Sequence, residues 1–257
     1  MELLFTIYIL TIAALFGAIF GSFINCMAYR MVHGESVTKG RSHCPHCYHT
    51  LGVFDLMPIV SYIFLRGRCR YCKEKIKIRY VMTELLLALF FVCVTWQYGI
   101  SVLTIRYMVL ACLLLTLSCI DIETYMIPNK CILMGILWWA VTVPFMKGEI
   151  REQLKSGAVG AFAIAGFILL LVLLMDWILK KESMGGGDIK LYFMVGLYLG
   201  EAKGVLNLIL SCFLGLLFAL LWKKERFPFG PAISIATCIT VLWGDYIVTW
   251  YLSLFGM

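Results

Sequence analysis

Residues 3–28 have the sequence LLFTIYILTIAALFGAIFGSFINCMA, which contains no charged side chain. This run exceeds the roughly 20 apolar residues that an α-helix needs to cross a bilayer. Only Glu2 follows the initiating methionine before the run begins, so the basic start and early small-residue cleavage site of a secretory signal peptide are missing. We therefore expect this segment to remain in the protein as a first membrane span.

The composition places the whole chain in a membrane. Of its 257 residues, 62% are hydrophobic and 14% are charged, and the mean hydropathy is +0.91, which is too apolar for a protein folded in water. Apolar stretches recur along the chain at short intervals. We predict an all-α fold, a polytopic membrane bundle of about eight transmembrane helices, over the approximate segments 3–29, 80–98, 100–120, 130–146, 156–179, 187–202, 205–222 and 230–255.

The 22 Lys and Arg residues indicate the orientation, because loops rich in these residues stay on the cytoplasmic side of a membrane. If the loop between the first two spans is cytoplasmic, all but five of them lie inside; the exceptions are Arg106, Lys147, Arg151, Lys155 and Lys203. Both termini then lie outside the cytoplasm. We interpret the net charge of +7 as the result of basic residues that face the cytoplasm, and not as a surface for nucleic acid. The expected partner is the lipid bilayer.

One long polar insertion separates the first two spans and holds all four histidines. It divides the chain into three predicted parts: a first transmembrane helix at 1–30, a cytoplasmic four-cysteine domain at 31–79, and a transmembrane bundle at 80–257. The insertion has too few apolar residues for a hydrophobic core of its own. A domain of this kind needs another source of stability, such as a metal.

Two Cys-x-x-Cys knuckles, Cys44 with Cys47 and Cys69 with Cys72, lie in the insertion with 21 residues between them. Two such turns complete a tetrahedron of thiolates around zinc, and four thiolates leave no open position for a catalytic water. We therefore predict a structural zinc site that folds the loop. A redox site or a pair of disulfides is the alternative, although disulfides would require the oxidising side of the membrane. Three histidines near the first knuckle could replace a sulfur ligand: His43, His46 and His49.

Four acidic residues lie in or beside the apolar segments, where ionisable groups are costly and often functional: Asp121, Asp176, Asp188 and Asp245. The orientation above puts Asp121 and Asp188 at the same cytoplasmic depth. Two neighbouring carboxylates do not both ionise readily, so one holds a proton while the other activates water. We therefore predict that Asp121 and Asp188 form the catalytic pair of an aspartyl protease. Asp176 and Asp245 have no flanking glycines or helix breaker, and we interpret them as structural.

The residues around Asp188 favour contact with a peptide. Gly185, Gly186 and Gly187 precede it and let an extended backbone approach closely, and Lys190 is placed to tune the local charge. The apolar part of this segment, residues 189–200, has only 12 residues, so a span must include Asp188 near the membrane boundary. The alternative interpretation is an ordinary helix start with an acidic residue near the positive end of the helix dipole.

Several stretches together carry a family resemblance: GSFINCMAYR from Gly21 to Arg30, the two knuckles with the residues between them, Asp121 with Ile127-Pro128-Asn129, Gly185 to Lys190, and Phe229-Gly230-Pro231. They resemble signatures of the type IV prepilin peptidases, or leader peptidases and N-methyltransferases, in the GxGD class of membrane aspartyl proteases. The resemblance covers nearly the whole chain. One departure is Val81, where many relatives carry proline after the tyrosine.

The resemblance implies cleavage of a short basic leader after a glycine in type IV prepilins or pseudopilins, at the cytoplasmic face of the bacterial inner membrane. It also implies methylation of the new N-terminal residue with S-adenosylmethionine. The implied catalytic residues are Asp121 and Asp188. The resemblance also implies that six motif residues contact the substrate: Pro128, Asn129, Gly185, Gly186, Gly187 and Lys190. No glycine-rich nucleotide loop marks a site for the methyl donor.

Two other classes of protein fit some of these features. A proton- or cation-coupled transporter would use Asp121, Asp176 and Asp188 as a relay, but relay carboxylates usually lie near the bilayer midplane, whereas this pair is predicted at one face. A non-catalytic assembly factor of a pilus or secretion machine would tolerate asparagine at both positions.

Overall fold

The computed structural model describes residues 2–37, 40–146, 148–181, 184–222 and 227–254. Within these ranges the chain is helical, with two isolated β-bridges and no longer strand. Two short 3-10 turns cover Val53–Asp55 and Val143–Phe145. The α-helices are α1 (Glu2–Val32), α2 (Val60–Phe64), α3 (Arg79–Tyr98), α4 (Val102–Thr124), α5 (Asn129–Thr142), α6 (Ile150–Leu179), α7 (Gly186–Trp222) and α8 (Gly230–Ser253).

Six of the described helices, namely α1, α3, α4, α6, α7 and α8, are long and apolar enough to cross a membrane. The shorter apolar helix Asn129–Phe145 follows α4. All eight apolar segments predicted from the sequence fall on helices, so the all-α, multi-pass membrane fold is confirmed. Lys147 of the orientation argument and the predicted end of the last segment at residue 255 lie outside the described residues.

Element α7 consists of two helices that meet at a kink, and these correspond to the sixth and the seventh predicted segments. Its backbone leaves helical geometry at Gly200, where φ is 71° and ψ is −164°, a conformation that only glycine adopts without strain. The part before this break begins at Gly186 and carries Asp188 in its first turn. The short apolar segment is therefore extended at its start by the glycine-rich residues, and Asp188 belongs to the helix.

The chain forms two compact units, Met1–Ile100 and Ser101–Met257. In the first unit α1 packs along α3, and Gly21 lies at the contact. A Cβ atom on Gly21 would lie 2.7 Å from the Cα atom of Glu84, and such close approach is typical of small residues between membrane helices. Asn25 is 1% exposed and donates to the carbonyl oxygen of Tyr80 at 3.2 Å. The three-part division predicted from the sequence stays a prediction.

In the second unit α8 packs on α4 and α7, while α6 lies against α7. Small residues line the contact between α6 and α7. A Cβ atom on Gly160 would lie 2.6 Å from the carbonyl oxygen of Gly200, and one on Gly196 would lie 2.6 Å from the Cα atom of Ala161. The packing that results holds the end of α4 and the starts of α5, α7 and α8 at the same end of the unit, where Asp121 and Asp188 lie.

Candidate active site and candidate metal centre

Asp121 lies in the last turn of α4, and only 4% of its surface is exposed. The helix ends three residues later, because Tyr125 adopts a left-handed conformation with φ 55° and donates its N–H to the carbonyl oxygen of Asp121 at 2.9 Å. The chain then turns through Pro128, which precedes the first residue of α5. This turn places Asp121 and Asn129 at the same end of the unit.

The start of α8 faces Asp121. The backbone N–H of Gly230 donates to the Oδ2 atom of Asp121 at 2.9 Å, and a Cβ atom on Gly230 would lie only 2.8 Å from that oxygen. The first N–H groups of a helix lack partners within the helix and carry its partial positive charge. Pro231 at the second position has no N–H of its own. The N-terminus of α8 therefore supplies a backbone donor that stabilises a negative charge on Asp121.

Asp188 follows the three glycines that the sequence singled out. Its own N–H donates to the carbonyl oxygen of Gly185 at 3.1 Å, which begins the helix. A Cβ atom on Gly186 would meet no atom within 4 Å, whereas one on Gly187 would lie 3.0 Å from the Cβ atom of Ile127. The backbone is therefore open at Gly186 and packed at Gly187. Both predicted features are present, since Asp188 starts a helix and has an accessible glycine beside it.

The fold brings Asp121 and Asp188 close together. The two carboxylates lie within range of electrostatic interaction, and both side chains are withdrawn from the surface, Asp121 fully and Asp188 in part. Each carboxylate lies next to the N-terminus of a helix, α8 for Asp121 and α7 for Asp188. A pair of carboxylates in partly dry surroundings, with backbone donors beside it, can share a proton and activate a water molecule.

The remaining predicted contact residues border a groove between α5 and α7. The Nζ atom of Lys190 donates to the Oδ1 atom of Asn129 at 2.9 Å, which joins the two predicted motifs. From this pair a groove of about 260 Å³ runs along both helices. Its lining is otherwise apolar and consists of Ile132, Leu133, Ile136 and Phe193. The α5 residues in it recur at the spacing of one helix face.

The other two acidic residues lie away from this pair. Asp245 forms an ion pair with Lys203 at 2.8 Å, which agrees with a structural role. Asp176 is in the last turn of α6, and its carbonyl oxygen accepts the N–H of Lys180, where that helix ends. Of the four acidic residues, the fold thus brings two together and leaves the other two elsewhere.

The two cysteine knuckles have the same local geometry. Cys44 and Cys69 each accept, through the carbonyl oxygen, the N–H of a residue four positions later, Tyr48 at 2.9 Å and Lys73 at 3.1 Å. Both of those residues have positive φ, 56° and 61°. An isolated β-bridge closes each knuckle, His43 with Thr50 and Arg68 with Lys75. The two turns are a structural repeat that the sequence analysis did not identify.

The four sulfur atoms fit a tetrahedral metal ion. All of them lie within 4.8 Å of one another, and the Sγ atoms of Cys44 and Cys72 are 3.9 Å apart. Zinc–sulfur bonds of about 2.3 Å place tetrahedral ligands about 3.8 Å from each other. Burial opposes ionisation of the Cys69 thiol, but the backbone N–H groups of Cys72 and Tyr71 lower its pKa to about 7. Burial raises the pKa of the Cys44 thiol, so the arrangement of the four sulfur atoms, rather than ready ionisation of every thiol, is what fits zinc.

The segment between the knuckles is anchored at both ends. The Nε atom of Arg70 donates to Asp55 at 2.6 Å, which ties the segment to the second knuckle. The N–H of Ile59, whose φ is 61°, donates to the carboxylate of Glu84 on α3 at 2.7 Å. A β-branched residue at positive φ is strained, and this hydrogen bond holds it in place. The four-cysteine segment is thus attached to the membrane helices of its own unit.

Sequence reasoning missed several contributors to the candidate active site. Gly230 was recognised only as part of a motif, and its donor role depends on the position of α8. The hydroxyl of Ser118 donates to that of Ser234 at 2.8 Å and joins α4 to α8 one turn below the pair. The hydroxyls of Tyr192 and Ser211 are hydrogen-bonded and join the two helices of α7 on either side of Gly200. The sequence does not show which residue a serine or tyrosine in an apolar segment will hydrogen-bond.

The fold and these sites define a class: multi-pass helical membrane proteins with paired carboxylates at one end of a bundle and a separate four-cysteine segment. The model of the type IV leader peptidase family matches residues 108–220, which include both Asp121 and Asp188. The model of the bacterial peptidase A24 N-terminal domain matches residues 15–98, which include all four cysteines. The chain belongs to the type IV leader peptidase family.

Individual relatives agree with this assignment. The prepilin leader peptidase/N-methyltransferase of Pseudomonas putida is 33% identical over 97% of this chain and 96% of its own length. Proteins of the same name from Neisseria gonorrhoeae and Bacillus subtilis are each 31% identical, over 94% and 95% of this chain and 94% and 98% of their own lengths. No solved structure matches the chain. These relatives lend no support to the transporter alternative.

Proposed function

We propose that this protein cleaves the leader of type IV prepilins or pseudopilins and N-methylates the new N-terminal residue. The observation that carries the proposal is the close pair of Asp121 and Asp188, each beside a helix N-terminus. Membership of the type IV leader peptidase family supports it, as do relatives named for both activities.

In the proposed mechanism Asp121 is the ionised base, because the N–H of Gly230 stabilises its carboxylate. Asp188 carries the proton that the pair shares. Asp121 takes a proton from water, whose oxygen attacks the carbonyl carbon, while Asp188 protonates the carbonyl oxygen. The tetrahedral intermediate then breaks its C–N bond: the leaving nitrogen receives a proton from Asp121, and Asp188 takes back a proton from a hydroxyl of the intermediate as the new carboxyl group forms. Gly186 leaves room for the extended backbone around the scissile bond.

Gly230→Ala tests the position of the base. The added methyl group would meet Asp121 Oδ2 at 2.8 Å, so the carboxylate must move. We expect the cleavage rate to fall by about tenfold to a hundredfold, since small displacements of reacting groups have effects of this size, with the helical circular dichroism unchanged. Gly166→Ala is the matched control, because a Cβ atom there meets nothing within 4 Å. Equal loss of activity in both variants would argue against the assigned role of Gly230.

The groove between α5 and α7 is the proposed site for the apolar residues that follow the scissile glycine. It begins at Asn129 on α5 and at Lys190, which is two residues after Asp188 on α7. From there it continues between apolar side chains. A hydrophobic segment of substrate can enter from the bilayer while its basic leader stays in water. Lys190 and Asn129 then lie near the boundary between these two parts of the substrate.

Ile136→Trp tests the groove. The indole should occupy space that the substrate needs, so we expect KM to rise about tenfold while kcat changes little, as for loss of uniform binding. Leu137→Trp is the matched control, because Leu137 is 56% exposed on the same helix and lies outside the groove. A rise in KM for both variants, or for neither, would remove the groove from the proposal.

The zinc and the methyl donor have separate proposed roles. Zinc bound by Cys44, Cys47, Cys69 and Cys72 would hold the two knuckles together and fold the segment between them. S-adenosylmethionine would supply the methyl group, and no residue is assigned to its binding. The proposed location of the aspartate pair is the cytoplasmic face of the inner membrane, and the distribution of Lys and Arg residues in the sequence supports it.

Mass spectrometry of a prepilin N-terminus tests the proposal. The prepilin is coexpressed with this protein or with its Asp188→Asn variant, and the mature N-terminus is measured. A shortened and methylated product from the wild type alone supports both activities, and a shortened, unmethylated product supports only the peptidase. An intact leader with the wild type would contradict the proposed function.

A further inference from the structure

Arg106, near the start of α4, is a buried cation with no ionic partner among the residues that the structure describes. Only 5% of its surface is exposed, and its Nε–H group has no hydrogen-bond acceptor in the described part of the chain. The groups that act on its charge are the phenols of Tyr107 and Tyr198, with no carboxylate among them. Burial of an unpaired charge strongly opposes folding, so the guanidinium needs a counter-charge.

Two aromatic rings hold Arg106 in a fixed position. Its Cζ atom lies 5.7 Å from the ring centre of Trp139 and 5.1 Å from that of Tyr198. The Tyr198 ring is itself fixed, because its hydroxyl donates to the carbonyl oxygen of Gly135 at 2.6 Å. Cation–π contacts attract the cation, but they accept none of the hydrogen bonds of a guanidinium, which carries five N–H groups.

The carboxylate of Asp245, which acts on the same tyrosine as Arg106, is already engaged. The charges of Arg106, Lys203 and Asp245 all act on Tyr107, so these four side chains form one cluster. Within it Asp245 pairs with Lys203 at 2.8 Å. One positive charge, that of Arg106, is left over.

The cluster lies far from the aspartate pair, toward the other end of α4. Arg106 and Asp121 are 15 residues apart on α4, or about 22 Å at 1.5 Å per residue. Ile105, the neighbour of Arg106, is 52% exposed. Tryptophan and tyrosine are typical of the membrane interface, where the head groups of lipids lie.

We propose that Arg106, held between Trp139 and Tyr198, binds a phosphate group at the membrane face opposite the aspartates. Guanidinium binds phosphate oxygens through paired N–H donors. A phospholipid head group and free inorganic phosphate share this chemistry. The bound phosphate neutralises the cluster and stabilises the contact of α4 with α5 and α7.

Thermal unfolding of the full-length protein tests this site. Protein stripped of lipid in an uncharged detergent is measured with phosphatidylglycerol, with diacylglycerol of the same chains, and with inorganic phosphate at constant ionic strength. We expect the wild-type midpoint to rise by about 3 °C or more with a phosphate-bearing additive and not with diacylglycerol. Arg106→Gln should lose this rise. Arg151→Gln, which removes an exposed arginine, should keep it.

The two phosphate sources give different results. A rise with phosphatidylglycerol alone assigns the site to a lipid head group, and an equal rise with inorganic phosphate assigns it to the free anion. Equal rises in the wild type and Arg106→Gln, or no rise in the wild type, would overturn the proposal. If Arg106→Gln does not fold, native mass spectrometry compares the wild type with Arg106→Lys, which lacks the paired donors. The lysine variant is expected to carry one phosphate-bearing ligand fewer than the wild type. Equal numbers of bound ligands on the two proteins would also overturn the proposal.

Discussion

Asp121→Asn and Asp188→Asn should each lower the rate of prepilin cleavage by about a thousandfold or more. Either change removes a group that transfers protons in the proposed mechanism, and such groups contribute roughly 10² to 10⁴ in rate. The amide also cannot share a proton with the remaining carboxylate. The measurement is cleavage of a prepilin peptide by each purified variant in detergent, followed as product against time.

Two further variants make this prediction specific. Asp245→Asn removes an acidic residue that pairs with Lys203, and it should cleave at close to the wild-type rate. The double variant of Asp121 and Asp188 should be little slower than either single variant, because residues that act as a unit are not additive. Cleavage that persists in either single variant would exclude the aspartate pair as the catalytic centre.

Replacing Cys44 and Cys47 together by serine should remove all bound zinc. The wild type is expected to carry one zinc ion per chain, since the four sulfur atoms form one cluster. Structural zinc contributes on the order of 10 kcal/mol to the folding of such small sites. Its loss should therefore unfold the segment between the knuckles. Metal content is measured by mass spectrometry of the purified protein, and unfolding by limited proteolysis within residues 48–68.

The matched control is Cys93→Ser with Cys212→Ser, which removes two thiols from apolar helices outside the cluster. This protein should retain its zinc and its resistance to proteolysis. Full zinc content after the loss of Cys44 and Cys47 would show that the ligands are wrongly assigned. Loss of zinc without new cleavage sites would mean that the metal does not fold the segment.

The sequence predicted features that depend on local pattern. Membrane spans follow from the length of apolar runs, and the four sulfur ligands follow from the spacing of Cys44, Cys47, Cys69 and Cys72. The orientation of the spans, inferred from the Lys and Arg residues, predicted that Asp121 and Asp188 lie at one face. The structure brings the two carboxylates together, while their catalytic role is still a prediction.

Features that depend on tertiary contact were not predictable. The donor to Asp121 is a backbone N–H of Gly230, 109 residues later in the sequence, and every residue except proline has such a group. The break in α7 was, by contrast, predicted from the sequence, because the sixth and seventh apolar segments were drawn as separate helices and the backbone leaves helical geometry at Gly200. The charge count had assigned Arg106 to an external turn. Its position against the rings of Trp139 and Tyr198 depends on tertiary contacts that the sequence does not show.

The donor at the start of α8 has a consequence for how the enzyme tolerates genetic variation. Every residue except proline has a main-chain N–H, so only a substitution by proline at this position would remove the donor. Mutations near Asp121 can therefore alter this contact only by shifting the backbone or by adding bulk at Gly230. A deep mutational scan should find a permissive neighbourhood interrupted by a few intolerant positions, the two aspartates and Gly230 among them.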